Sequence, residues 1–383
     1  MKPAIHLAFA LAALTAATGT DATPATSCAS CGGCLWTYTG GTQCFTNTVK
    51  EQCDAWGTGY TWGCLWTYAG GTQCFTSSAK ATCDAWGTGY TCPYIDLGWG
   101  TGSTLVSRMT ITGLNAITLA FASGECGSES WPGISSSGVV SIINTLVAAK
   151  KKYIIATGGE SGVFTCASDA NFLKFIKTYA SDYLVGFDFD IEGTQTQAQI
   201  DSLVQRAKNA QSTYPNLRYS FTVASLGQSA GGNPLNSLGG QIINSIKTNG
   251  LTNYLINLMA MDYQSISQYV CVVSNGICDM GLSANQAAKN LNSYYSIPYS
   301  KIEVTVMIGG NDFPKMPTKP YVFTIDDVTD VSTFATSNGL AGVHFWSLDR
   351  DQDCPPGDSV GNCNTYGAAG TLGFTKKFQS YLQ

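Results

Sequence analysis

Between Tyr94 and Trp346, short apolar runs of strand length alternate with longer stretches of helical periodicity, and this alternation is the strongest constraint on the fold. The runs are residues 94–97, 116–122, 153–157, 186–191, 219–223, 254–261, 302–308 and 342–346. Between them lie helical patterns such as 139–151, 171–183, 197–211, 238–249 and 284–295. Repeated β-α units set their strands side by side and parallel. Eight such strands over about 290 residues predict an α/β fold of the (β/α)8 TIM-barrel type, with the active site at the carboxyl ends of the strands. A doubly wound sheet is the alternative, but no glycine-rich phosphate loop follows the first strand.

The fourth run reads Leu-Val-Gly-Phe-Asp-Phe-Asp-Ile-Glu-Gly, residues 184–193. In a strand, alternate residues share a face, with neighbours on that face roughly 6 to 7 Å apart. Asp188, Asp190 and Glu192 therefore line one face, and Phe187, Phe189 and Ile191 back them as under a layer of helices. Like charges held so close in a partly buried place cannot all ionise freely, so at least one pKa is pushed up. This is how a carboxylic acid stays protonated near neutral pH and donates its proton. On the residues alone the alternative is an acidic strand end, or a Ca²⁺ site of hard oxygen ligands.

Asp-x-Asp-x-Glu on a strand, preceded by Gly-Phe and followed by Gly, resembles the catalytic strand of glycoside hydrolase family 18, the chitinases and their relatives. The family pattern is Asp-x-x-Asp-x-Asp-x-Glu, and its first Asp falls here on Val185, a departure expected to affect strand support more than the reaction. The resemblance implies that Glu192 is the general acid. Asp190 would orient the substrate's 2-acetamido group, and Asp188 would share a proton with Asp190. The acetamido oxygen is then the nucleophile, so the resemblance implies no metal and no cofactor.

Weaker likenesses occur at other strand ends. The third run ends Ile-Ile-Ala-Thr-Gly-Gly-Glu-Ser-Gly, residues 154–162, which is similar to the family's Ser-x-Gly-Gly with Thr157 at or near the serine side, and Gly158 and Gly159 admit close backbone approach. Met259, Asp262 and Tyr263 look like the family's Met-x-Tyr-Asp, although the family tyrosine falls on Met261. By strand parity Met259, Met261 and Tyr263 face one way, so Tyr263 is expected to supply the hydroxyl, while Asp262 bonds the acetamido group or Glu192. Trp346 falls where the family places the sugar floor, and Trp99 and Trp131 are expected to form outer sugar subsites. Only 33 residues, 309–341, separate the last two strands. They leave no room for an α+β insertion, so an open cleft and endo cleavage are expected.

Residues 1–22 carry Lys2, a short apolar stretch and then small residues, which reads as a secretory signal too short to span a bilayer. Fifteen cysteines fit the oxidising compartment such a signal leads to. A formal charge of -5 excludes a nucleic-acid footprint. The two histidines, His6 and His344, exclude a zinc site with several His ligands. His344, inside Gly-Val-His-Phe-Trp, reads as a packed strand residue rather than a catalytic base.

Residues 28–92 form a tandem repeat of 30-residue units, 33–62 and 63–92, ahead of the barrel at 93–383. Each unit is too small for its own apolar core, so disulfides must hold it. The second unit offers Cys64, Cys74, Cys83 and Cys92, the first Cys34, Cys44 and Cys53 with Cys28 or Cys31, and the connectivity stays open. Trp36, Tyr38, Trp56, Trp66, Tyr68 and Trp86 are more aromatic surface than such units hide, which points to tandem carbohydrate binding. Within the barrel, Cys126 with Cys166, Cys271 with Cys278 and Cys354 with Cys363 are the expected bridges. The expectation is an exported, monomeric, endo-acting chitinase that binds N-acetylglucosamine polymers and neither nucleic acid nor membrane. An endo-β-N-acetylglucosaminidase on N-glycans and an inactive chitin-binding lectin are the alternatives.

Overall fold

The computed structural model describes residues 90–312, 321–354 and 361–382 in full. Ahead of them it describes the backbone of Ala22–Pro24 (β1), Gly33–Tyr38 (β2), Gly41–Thr46 (β3), Tyr60–Tyr68 (β4) and Gly71–Thr76 (β5). The chain divides into two compact units, Met1–Gly87 and Thr88–Gln383.

In the first unit the order is β1-β3-β2-β4-β5. Hairpin β2-β3 runs from Gly33 opposite Thr46 to Tyr38 opposite Gly41, and β4-β5 repeats that register thirty residues on, from Gly63 opposite Thr76 to Tyr68 opposite Gly71. The sequence repeat is thus a repeated antiparallel hairpin, joined where Cys34 of β2 pairs with Trp62 of β4. The expected leader, the repeat's cysteine pairings and the side chains of Trp36, Tyr38, Trp56, Trp66, Tyr68 and Trp86 lie outside the described residues.

The second unit is built on Tyr90–Thr91 (β6), Tyr94–Asp96 (β7), Ala116–Ala122 (β8), Lys152–Gly158 (β9), Leu184–Asp190 (β10), Arg218–Ala224 (β11), Leu255–Ala260 (β12), Ile302–Met307 (β13) and Gly342–Trp346 (β14). Neighbours are parallel in the order β6-β14-β13-β12-β11-β10-β9-β8-β7. The two edge segments, β6 and β7, are one stretch of chain interrupted only by Cys92 and Pro93. Its start bonds β14 and its end bonds β8, so the expected (β/α)8 barrel closes through a shared first strand. Cys92 is a buried free thiol of the barrel, hydrogen-bonded to Thr118 Oγ1 at 3.3 Å.

Helices cover the outside: Leu105–Thr112 (α1), Ser136–Ala148 (α2), Asp169–Tyr179 (α3), Gln197–Ala210 (α4), Ser237–Asn249 (α5), Met280–Tyr295 (α6), Ile325–Asn338 (α7) and Gly373–Gln379 (α8). Four of them, α2, α3, α5 and α6, begin before their apolar patterns because Ser135, Ser168, Asn236 and Asp279 cap them, each accepting a backbone N–H from three residues on. Phe187 and Phe189 of β10 point outward into this layer, against Phe172 and Phe175 of α3 and Tyr219 of β11. That apolar outer face fixes the strand's register and turns the even-numbered acids into the barrel. Among the described residues no helix is long and apolar enough to cross a membrane.

Candidate active site

Asp188 and Asp190 lie inside the barrel, both buried, and Glu192 follows at the solvent-exposed mouth. Asp188 accepts three hydroxyl protons: from Tyr94 at 2.8 Å, Ser220 at 2.5 Å and Thr222 at 2.7 Å. Burial pushes its carboxyl up, and these hydroxyls together with Arg218 oppose the shift. Asp190 lacks such support. Burial first, then Glu192 and Asp188 beside it, push its carboxyl well above the ordinary range. It therefore keeps its proton and donates it to Glu192, while its buried Oδ1 has no hydrogen-bond partner among the described residues.

Glu192 is pushed up to about 7, first by desolvation and then by Glu160, with Asp262 adding to the rise and the Asp190 hydrogen bond opposing it. Its side chain is open to solvent at the cleft while protein crowds its base, so screening moderates the desolvation part. A carboxyl near 7 is poised to give and take a proton at neutral pH.

Backbone geometry allows this crowding. A Cβ on Gly158 would stand 2.0 Å from the Asp190 carbonyl oxygen, and Gly158 has φ +86°. A register shift lets Tyr153 face Leu184 and Ile154 face Gly186, which leaves Val185 as the extra residue of a bulge. Val185 packs with Cys92, Ala116 and Ile154, so apolar contacts fill the place where the family pattern has an acid.

Asp262 has φ +53°; its N–H donates to Asn311 Oδ1 at 2.8 Å, and its Oδ1 accepts the Asp312 N–H at 2.8 Å. Arg350, buried, bonds Asp312 at 3.4 Å and the Gly310 carbonyl at 2.5 Å. Trp346 stacks on Phe121 at 5.6 Å and 22°, and Trp99 meets its edge at 5.7 Å. Trp99 is 43 % exposed. Met259 is half-buried, on the same strand face as Asn257.

Two expected site residues are elsewhere. Tyr263 is buried in the apolar core, with its hydroxyl unpartnered among the described residues. The parity argument fails because β12 ends at Ala260 and the left-handed Asp262 reverses the direction of the next side chain. Trp131 is 5 % exposed and donates to Tyr179 Oη at 2.8 Å, because its loop folds back through a bridge between Trp131 and Ile134. Both side chains are buried.

Cys126–Cys166 and Cys271–Cys278 are disulfides, as expected. Cys354 and Cys363 are instead free thiols that share a hydrogen bond, the Cys363 thiol pushed up to about 12 by burial and its neighbour. His344 is buried, with Nδ1 at 2.9 Å from the Cys92 carbonyl oxygen and Nε2 at 3.1 Å from Glu303. The sequence reading passed over Glu160, Tyr94, Asn257 and Arg218. The legible signal for Arg218 is a charged residue at the head of an apolar strand run.

The barrel is similar to the catalytic domain of a hyperthermophilic chitinase from Pyrococcus furiosus, at 26 % identity and TM-score 0.63, covering 76 % of this chain and 94 % of that one. Catalytic-site mutants of active domain 2 of the Pyrococcus furiosus enzyme, crystallised with chito-oligosaccharides, match at 25 % identity, 76 % and 94 % coverage and TM-score 0.63. A chitinase from Rhizomucor miehei shares the fold, at 15 % identity, 76 % and 99 % coverage and TM-score 0.50. No protein-family model and no curated protein matches the chain.

Proposed function

We propose that this chain is a chitinase-like glycoside hydrolase that cuts β-1,4 links between N-acetylglucosamine units with retention, using the substrate's own acetamido group. The observation that carries the reading is the Asp190–Glu192 pair: a neutral buried acid hydrogen-bonded to a second acid poised at about 7. Glu192 protonates the glycosidic oxygen as the bond to C1 breaks. The acetamido carbonyl oxygen closes on C1, giving an oxazolinium ion. The Asp190 Oδ1, buried without a partner among the described residues, is matched to the acetamido N–H. Glu192, now ionised, takes a proton from the water that opens the ring.

Trp346, Phe121 and Trp99 offer an aromatic floor beside the acids. Between β13 and β14 the described residues hold only a two-strand hairpin, Gly309–Gly310 with Val322–Phe323, and α7, which favours an open cleft and endo cleavage. The leader supports export, and the tandem hairpins support a polymer-binding segment.

The test is cleavage of chito-oligosaccharides and of an N-glycosylated protein by the wild type and by Glu192→Gln. Cleavage of the oligosaccharides by the wild type alone is expected. Cleavage of the glycoprotein alone makes the chain an N-glycan endoglycosidase, and chitin binding without any cleavage makes it a lectin.

A further inference from the structure

Just beyond Trp346, the short helical turn Leu348–Arg350 buries two side chains of opposite charge in succession, Asp349 at 2 % and Arg350 at 1 % exposure. Because β14 lies between the shared first strand and β13, this turn has one loop on each side. Asp349 reaches the loop after β7, accepting the Asp96 N–H on Oδ2 at 2.9 Å and the Thr101 hydroxyl on Oδ1 at 2.5 Å. Trp99 sits between those two anchors and meets Trp346 edge-on. Arg350 reaches the loop after β13, donating to the Gly310 carbonyl at 2.5 Å and lying 3.4 Å from Asp312 Oδ1.

That second loop is what holds Asp262. Asn311 Oδ1 accepts the Asp262 N–H, and the Asp312 N–H donates to Asp262 Oδ1, each at 2.8 Å. Such a hold is needed, because a residue with a Cβ at φ +53° is strained unless its surroundings fix it. The turn is itself pinned, its Leu348 carbonyl accepting from Arg108 and its Arg350 carbonyl from Asn364 at 3.0 Å. Apolar side chains would fill the same space without desolvating two charges, so what the pair adds is direction.

We propose that Asp349 and Arg350 are positioning residues with separate duties. Asp349 sets the Trp99 indole beside Trp346 and serves sugar binding; Arg350, through Asn311 and Asp312, sets the Asp262 carboxylate toward Glu192 and serves turnover. The proposal rests on the glycosidase reading above. The duties separate because an aromatic platform stacks on ground state and transition state alike, which moves KM. Asp262 acts instead on the proton donor, since its charge adds to the rise of Glu192, and that moves kcat.

The test uses conservative variants of the full chain. Asp349→Asn gives up one of two acceptor oxygens and is expected to raise KM for chito-oligosaccharides about fivefold with kcat within about twofold. Arg350→Lys keeps the charge but loses the fork, and is expected to lower kcat about tenfold with KM within about twofold. Both constants moving together in either variant, or the two effects exchanged, would overturn the assignment. Asn311→Ala touches no charge and is expected to repeat the kcat loss; a silent Asn311→Ala removes Arg350 from the proposal. In an Asp262→Asn background Arg350→Lys is expected to cost nothing further, whereas additive losses would mean that Arg350 acts elsewhere. Hydrogen exchange without substrate holds or fails whether or not chitin is cut. Arg350→Lys is expected to speed exchange over 258–264 alone, and Asp349→Asn over 96–104 alone. If both segments loosen together, or neither does, the turn is general support and the separate duties are wrong.

Discussion

The barrel encloses charge at both ends and treats it in opposite ways. At the amino end Arg218, Glu303 and His344 form a bonded set, with Tyr90 accepting from the guanidinium. Burial would raise the Glu303 carboxyl, but Arg218 and His344 hold it down at about 2. At the carboxyl end Asp188, Asp190 and Glu192 stand in a row, and among the described residues no Lys or Arg pairs with them. There burial and like charge push Glu192 up to about 7 and Asp190 well above its usual range. Depth does not explain the difference, since Glu303 is 0 % exposed and Asp190 only 4 %. Pairing does: the same strands carry a structural ion pair below and a strained row of acids above, as function requires of the end that must move a proton.

The sharpest way to break the comparison is at the unpaired end. Glu192→Gln is expected to lower kcat on chito-oligosaccharides by about 10² to 10⁴-fold, the usual share of a general acid, with melting little changed. Next comes the paired end. Arg218→Met leaves buried Glu303 with His344 as its remaining partner and is expected to cost roughly 3–5 kcal/mol in denaturant titrations, whereas Arg218→Met with Glu303→Leu recovers most of it. The pH dependence follows from the sign. The folded pKa of Glu303 is depressed, so its stabilisation is present above the unfolded carboxyl pKa and fades as pH falls toward about 2. The single variant loses that acid-side dependence.

Asp190 has the opposite sign. Its folded pKa is raised, so the wild type loses stability as pH rises above the unfolded aspartate value. Asp190→Asn is therefore expected to melt a few degrees higher than the wild type at neutral pH while hydrolysing far more slowly. A lower melting temperature at neutral pH would show that the acid row is not a strain.

How much of this was legible in the sequence depended on whether the signal was periodic. The barrel was, because eight apolar runs separated by helical patterns leave few alternatives, and so was the acid face of β10, because Phe187 and Phe189 force the even residues inward. Helix starts were not read from apolar spacing, since polar caps such as Ser135 and Asp279 set them. Tyr263 was misplaced by extending strand parity past Ala260, where a left-handed Asp262 breaks it. Trp131 was misplaced because an aromatic in a loop carries no record of which way the loop folds. The bond network behind Asp188 gathers residues from β7, β11, β12 and β13, and only the closed barrel links them, through successive bonds of 2.8 to 3.1 Å.

The smallest expected effect separates the two causes of the raised Glu192 pKa. Desolvation comes first, and the charge of Glu160 second. Glu160 is exposed, just beyond Gly158 and Gly159, so its influence crosses solvent and is screened by salt, while desolvation is not. As a general acid Glu192 must be protonated, so activity falls as pH rises through its pKa. Removing the Glu160 charge lowers that pKa and moves the alkaline limb of kcat/KM down, by under about one unit. Glu160→Gln should therefore be indistinguishable from the wild type at pH 5, slower at pH 7, and closer to it again at high ionic strength, where the wild type has already lost the same repulsion. A limb that stays in place at low salt would assign the whole elevation to burial and Asp262, and the row of acids would then owe its poise to the barrel wall alone.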